Sequence, residues 1–163
     1  MDKKEIFLEA IQHNQGLIYK IAAVYTNNSE DRNDLVQEII FQLWKSFDSF
    51  RQRSALTTWM YRVSMNVAIL HLKIYKRKLQ TVPLDEHILN LEDPSDRSIE
   101  EKWQELKAQL NQLNLLDRGI VMLYLEDKSY EEISEITGLS VSNTGTRLSR
   151  IKEKLKQQLS KQL

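Results

Sequence analysis

Ser142, Asn143, Thr146, Ser149 and Arg150 recur at helical spacing along the segment 140–155, with Arg147 among them and Lys154 a turn further on. Such side chains can read base edges. Arginine bonds guanine bidentately, asparagine pairs with adenine, and serine or threonine serves either. The stripe Val141, Thr144, Leu148, Ile151 and Leu155 steps by three, four, three and four, the interval of a buried helical face. The residues just upstream are suited to hold that helix in place. Ser129 can cap a short helix, with Glu132 three residues later to complete a capping box. Ile133 and Ile136 face inward, and Ser134 is small enough for a close helix crossing. Gly138 can take the left-handed conformation that ends the helix, and Ser140 can cap the next one. Two caps around a turn glycine, leading into an acid-poor helix, form a helix-turn-helix pattern whose second helix enters the major groove. A plain helical hairpin with a solvated face would use the same residues.

A second group lies between Phe50 and Arg77. Phe50-Arg51-Gln52-Arg53-Ser54-Ala55-Leu56 is a short basic loop headed by an aromatic. Behind it a helix is expected to start at Thr57 or Thr58, either of which can cap it through its hydroxyl. Trp59, Met60, Val63, Val67, Leu70 and Ile74 form its apolar stripe, and another face carries Arg62, Asn66, Lys73, Lys76 and Arg77. A basic helical face is often no more than a solvated one. An aromatic, amides and bases gathered beside it nevertheless suit a platform for unstacked nucleobases.

A third group is of a different kind. Leu35, Val36, Ile39, Ile40, Leu43, Trp44 and Phe47 fill one half of a helix at about 100° per residue. Asp34, Gln37, Glu38, Phe41, Gln42 and Lys45 fill the other, and Phe41 stands in the middle of that polar side. Either it packs on a neighbouring helix, or it is a docking anchor of the sort aromatics ringed by polar groups supply at interfaces.

Bond-making chemistry finds little support. There is no cysteine among the 163 residues, and His13, His71 and His87 are scattered, so neither a thiolate nor a histidine metal site is expected. No paired inward carboxylates and no glycine-rich phosphate loop accompany them, which argues against a helical-bundle enzyme. No apolar run reaches membrane-spanning length, and no apolar signal core follows the opening Met-Asp-Lys-Lys-Glu. The expected location is the cytoplasm.

Lys and Arg total 23, as do Asp and Glu, for a formal net charge of zero. Distribution matters more than the sum. Lys73, Lys76, Arg77 and Lys78 form an acid-free stretch, and from Arg147 onward Arg150, Lys152, Lys154, Lys156 and Lys161 are opposed by Glu153 alone. Between Thr81 and Glu101, by contrast, Asp85, Glu86, Glu92, Asp93, Asp96, Glu100 and Glu101 face only Arg97. Both prolines, Pro83 and Pro94, fall in that acidic stretch and nowhere else. No segment alternates with a two-residue period. The pattern predicts an all-α chain of two small helical domains, residues 1–80 and 99–163, joined by an acidic linker at 81–98.

In order and spacing the three groups resemble the bacterial sigma-70 family of RNA polymerase sigma factors, specifically its extracytoplasmic-function (ECF) group. Asp31-Arg-Asn-Asp-Leu-Val-Gln-Glu-Ile-Ile-Phe-Gln-Leu-Trp44 resembles the region 2 helix that docks on the clamp of the polymerase largest subunit. Phe50 through Ala68 resembles the parts of region 2 that melt and read the minus-ten element. Leu115-Leu-Asp-Arg-Gly119, followed by Ser129 to Leu155, resembles region 4, which reads the minus-thirty-five element. The short length, with no region 3 domain between the blocks, points to the ECF group.

The resemblance implies roles residue by residue. Asp34, Gln37, Glu38 and Phe41 would dock on core RNA polymerase, whose clamp and flap regions are the expected partners. Phe50, Arg51, Arg53, Arg62, Asn66 and Lys73 would serve the minus-ten DNA, with Phe50 and Asn66 flanking the pocket for a flipped base. Ser142, Asn143, Thr146, Arg147, Ser149, Arg150 and Lys154 would serve the minus-thirty-five DNA. The acidic linker would run through the polymerase's active-site and RNA-exit channels. Catalytic residues, metals and cofactors are not implied, and an anti-sigma factor is the expected regulator. Three positions depart from the family pattern. Gly145 stands where relatives often carry a base, Thr144 where valine is usual, and Leu56 where many place an aromatic. The competing reading is a stand-alone helix-turn-helix regulator, which would leave Phe41 and the Phe50 loop without a use.

Overall fold

The computed structural model describes residues 2–50, 52, 54–79 and 97–161. Arg51, Arg53, both prolines and nearly all of the expected acidic linker lie outside the described residues. Every regular element described is helical: α1 (Lys3–His13), α2 (Gln15–Tyr25), α3 (Ser29–Ser46), α4 (Leu56–Leu79), α5 (Arg97–Asn111), α6 (Leu115–Leu125), α7 (Tyr130–Thr137) and α8 (Val141–Lys161), with a 3-10 turn at Phe47–Ser49.

Side-chain caps punctuate the chain. Asp2, Asn28 and Asn114 each accept from the backbone N–H three residues on, at 2.8 Å, and so start α1, α3 and α6. Ser129 does the same for Glu132 N at 3.1 Å and Ser140 for Asn143 N at 3.0 Å. Each satisfies an otherwise orphaned amide, typically for about 1 kcal/mol. Gly138 ends α7 at φ 82°, the left-handed conformation its position requires.

In the first half α2, α3 and α4 pack around Ile18, Ile21, Ala22, Leu35, Ile39, Leu43 and Met60, all buried. Phe7 of α1 closes one end, edge-on to Trp44 and Phe47 with ring centroids at 5.1 and 5.3 Å. In the second half Ile120, Leu123, Ile133, Ile136, Leu148 and Ile151 form the centre. The core does not stop between the halves, because α6 and α7 also pack on α2 and α4.

Three expectations about local structure are corrected. The fourth helix begins at Leu56, with Ala55 O accepting from Trp59 N, so neither Thr57 nor Thr58 caps it. Its buried residues are Thr58, Met60, Tyr61, Ser64, Met65 and Ala68, and Trp59, Val63 and Val67 of the expected stripe pack against the core, whereas Leu70 is 59% and Ile74 46% exposed. Small Ser64 and Ala68 permit close approach on that side, Gly119 of α6 lies against Met65, and Lys128 of the α6–α7 turn lies over the Tyr61 ring. Val141 is 43% exposed, since it stands in the first turn of α8, before the point where α6 meets that helix. Thr144 is fully buried, and its hydroxyl is satisfied by the Ser140 carbonyl at 2.9 Å. That bond lets a polar residue stand in an apolar stripe.

Candidate polymerase-docking and nucleic-acid surfaces

The α1–α3 side carries an open apolar groove of about 600 Å³ lined by Lys4, Phe7, Leu8, Gln37, Ile40, Phe41 and Trp44. Phe41 is 53% exposed and Lys45 Nζ lies 5.6 Å from its ring. Phe41 therefore does not pack into a neighbouring helix. Asp34, Gln37 and Glu38 are also exposed, and Glu38 accepts from Gln42 Nε2 at 3.0 Å one turn on. Sequence reasoning missed the share of α1. Its signal was Leu8 and Ile6, apolar residues flanking the buried Phe7 yet 49% and 44% exposed.

Phe50, at the head of the loop before α4, meets Trp59 of that helix. Phe50 is half-buried with its ring 5.1 Å from that of Trp59 and tilted by 37°. Trp59, Asn66 and Lys73 follow one another by seven residues, two helical turns, and so form one line up α4. Asn66 and Lys73 are exposed. Trp59, at the foot of this line, is half-buried and packs against the core as the apolar stripe implied, with Phe50 and Phe47 on its ring. Arg62 is exposed beside it, but both its Nε and Nη2 donate to the carbonyl of Glu135 in α7.

On α8, Ser142, Asn143, Thr146, Ser149, Arg150 and Lys154 are all exposed. Thr146 Oγ1 donates back to Ser142 O at 3.1 Å, and Lys154 Nζ reaches Gln112 O at 3.2 Å. Arg147 is drawn away from this face, its Nη1 2.9 Å from Asp117 Oδ1 in α6. Gly145 faces Tyr130, with the position of an added β-carbon 3.5 Å from the ring. The missing side chain at 145 therefore belongs to the α7–α8 contact.

Comparison with known proteins accounts for both halves. Residues 10–78 match the family model for sigma-70 region 2, and residues 103–155 match that for sigma-70 region 4. The RNA polymerase sigma factor SigV of Bacillus subtilis (strain 168) is 30% identical over 160 residues, covering 98% of this chain and 94% of its own. The ECF RNA polymerase sigma-E factor of Haemophilus influenzae is 25% identical, covering 86% and 82%. The fold matches the sigma factor RpoE of Bartonella quintana, solved with the anti-sigma factor NepR, at a TM-score of 0.71 and 21% identity over 96% of this chain and 98% of that one. It matches CnrH, solved with the cytosolic domain of CnrY, at a TM-score of 0.70 and 18% identity over 97% and 90%.

The chain belongs to the sigma-70 family of RNA polymerase sigma factors, in its ECF group. A stand-alone helix-turn-helix regulator is disfavoured, because residues 10–78 match region 2 in addition to the match of residues 103–155 to region 4. No helix among the described residues is long and apolar enough to cross a membrane.

Proposed function

We propose that this sigma factor docks on core RNA polymerase through the α1–α3 groove, opens the minus-ten element on α4 and reads the minus-thirty-five element with α8. The observation that carries the proposal is the groove. It holds an exposed phenylalanine among apolar walls, with Lys4 and Gln37 as its polar lining and Asp34 and Glu38 exposed on the same helix, α3, the anatomy of an anchor site for a partner protein.

On α4 a base extruded from the duplex would stack against the Phe50–Trp59 pair, with Asn66 available to its edge. Lys73 would neutralise backbone charge, as would Arg51, Arg53 and a freed Arg62. Base capture must offset unstacking of a few kcal/mol, and stacking on an aromatic returns about 1–3 kcal/mol per base. Strand opening would then be driven by binding, with no catalytic residue in this chain. On α8, Ser142, Asn143, Thr146, Ser149 and Arg150 would meet base edges or phosphates in the major groove, with Lys154 further along the backbone. Arg147 would orient α8 from behind rather than read DNA. The boundaries proposed are region 2 at 1–80, an acidic linker at 81–98 and region 4 at 99–163. The working location is the cytoplasm. Control by an anti-sigma factor is supported by the two solved relatives that carry such partners or a cytosolic partner domain.

The test is run-off transcription with purified core polymerase on a pool of genomic promoters. Factor-dependent transcripts sharing upstream elements near minus ten and minus thirty-five are expected. Binding of duplex DNA with no gain in initiation by core polymerase would overturn the proposal.

A further inference from the structure

One file of aromatic rings joins the α1–α3 groove to the Phe50–Trp59 pair. Phe7 and Trp44 both line the groove, with ring centroids 5.1 Å apart. Phe7 also meets Phe47 edge-on at 5.3 Å, Phe47 lies 6.1 Å from Trp59, and Trp59 lies 5.1 Å from Phe50. Phe47, which does not line the groove, is the link between the two ends. It opens the 3-10 turn Phe47–Ser49, and its carbonyl accepts from Phe50 N at 3.2 Å. Ser49 Oγ closes the same turn on Ser46 O at 2.6 Å. The first turn of α1 grips this turn from outside, with Lys3 Nζ 2.7 Å from Asp48 Oδ2 and 4.4 Å over the Trp44 ring.

A cluster that served only the interior would have no need of Phe50. That ring is half-buried and stands at the head of a loop, yet the file runs on through Trp59 to reach it. Aromatic rings prefer offset or edge-on partners over arbitrary tilts, so a ring flanked on two sides has little freedom to rotate. Trp59 is flanked in this way, by Phe47 on one side and Phe50 on the other. Phe47 is flanked in turn by Phe7 and Trp59. Such bracing matters most where a base must be received, because a site only about 1 Å too loose loses much of its function.

We infer that α1 positions the base pocket, with Phe7 acting through Phe47 to set the Trp59 and Phe50 rings on which an extruded base stacks. Phe7 and Phe47 are positioning residues and touch no base themselves. One α1 side chain then serves two tasks, since Phe7 is also a wall of the groove. This role rests on the function proposed above.

The test uses 2-aminopurine, a fluorescent base that is quenched when it stacks. It is placed in the non-template strand of a pre-melted bubble at the minus-ten element of a promoter the chain transcribes, and titrated with holoenzyme at saturating core polymerase. Phe47→Leu should keep its helical circular dichroism and its core affinity to within about twofold, yet weaken capture of the base roughly tenfold, within the range of a lost aromatic stack. Phe47→Tyr, which keeps the ring, should capture the base as the wild type does. Phe7→Leu, one ring further from the DNA, should weaken capture in the same direction. Methionine replaces leucine at either position if the leucine variant fails to fold. Undiminished capture by Phe47→Leu, where Phe50→Ala loses it, overturns the positioning role and leaves the pocket standing. Equal losses in Phe47→Leu and Phe47→Tyr overturn it too, because the ring is then not what positions the pocket. A loss in Phe47→Leu without one in Phe7→Leu overturns the role of α1. If Phe50→Ala quenches as the wild type does, the pocket assignment itself fails and the positioning role falls with it.

Discussion

Arg147 and Asp117 form an ion pair of 2.9 Å that ties the recognition helix to the first turn of α6. Asp117 is held from the other side by Asn114, whose side chain donates to Asp117 Oδ2 at 3.0 Å while capping Asp117 N. Arg150, one turn beyond Arg147, is exposed and forms no ion pair with a described residue. The two arginines should therefore fail in different ways when truncated. Arg147→Ala should cost about 0.5–1 kcal/mol of stability, discounted for a pair that solvent partly screens. A double-mutant cycle with Asp117→Ala in thermal denaturation should recover most of that as coupling. Arg150→Ala should leave the melting temperature unchanged and weaken binding to a minus-thirty-five duplex. A lost bidentate base contact would cost about 1–3 kcal/mol at one sequence position, and a lost phosphate contact would weaken all sequences and flatten the salt dependence. Affinity across single-base variants at two salt concentrations separates these.

The α1–α3 groove gives a second prediction. Phe41→Ala with Glu38→Ala should weaken binding to core polymerase roughly tenfold or more, the scale of a truncated aromatic anchor. Binding of duplex DNA by α8 should be unaffected. Unchanged affinity for core in a titration would remove this face of α3 from the docking surface.

At Gly145 the expectation is a gain. A β-carbon there meets only the Tyr130 ring, at 3.5 Å, an ordinary contact distance. Gly145→Ala should therefore stabilise the protein by about 1 kcal/mol, the helix-propensity difference between the two residues. Thermal denaturation measures it, and a lower melting temperature would mean that Tyr130 cannot yield.

What could be read from the sequence divides along a physical line. The turn between α7 and α8 was legible to the residue, since Ser129, Gly138 and Ser140 act through bonds to their own backbone neighbourhood. The polar side of α3, with Phe41 in it, was equally legible, because solvent lies on that side and periodicity reports it. The buried face of α4 was legible in part: Met60 is buried and Trp59, Val63 and Val67 pack against the core, but Leu70 and Ile74 do not, because α4 has packing partners from both halves. Met65 meets Gly119 of α6 and Tyr61 lies under Lys128 of the α6–α7 turn, which local periodicity cannot announce. Lys107 carries the same lesson. On an amphipathic helix a lysine reads as solvated, and only the carbonyl of Val24, 83 positions away in sequence, explains its burial.

Alkaline titration should expose that burial. Loss of solvent, and then the charge of Arg118, lower the Lys107 pKa from 10.5 to about 8. Between about 8 and 10.5 the unfolded chain thus binds more protons than the folded one, so stability rises with pH across that window. Tyr25 acts in the opposite sense. Burial raises its pKa well above the ordinary 10.0, and burial also raises that of Tyr61. Above about 10 the folded chain holds the extra proton and stability falls as pH rises. The melting temperature should climb from pH 8 towards 10 and then decline. Lys107→Met should flatten the climb and Tyr25→Phe should soften the decline. A monotonic fall from pH 8 in the wild type would contradict this balance.

The Phe50–Trp59 pair and Asn66 give the last prediction. In the function proposed above they would receive an extruded base, which duplex DNA does not present, because a paired base has both faces stacked and its edge occupied. They would then gain contacts only after the strands separate. Phe50→Ala and Asn66→Ala should then impair promoter opening more than formation of the closed complex. Losing an aromatic stack should cost about 1–3 kcal/mol of open-complex stability. Trp59→Ala should show the same ordering with an added loss of folding stability, since its ring also lies 6.1 Å from that of Phe47 in the first half's interior. A template with a pre-melted bubble at the minus-ten element should restore part of the activity of Phe50→Ala and Asn66→Ala, because the cost of unpairing is already met. Permanganate reactivity of melted thymines, measured with filter binding on closed and bubble templates, reads both steps. If either variant opens the closed template as well as the wild type does, that residue lies outside the pocket, and the base must be held elsewhere along the line from Trp59 to Lys73.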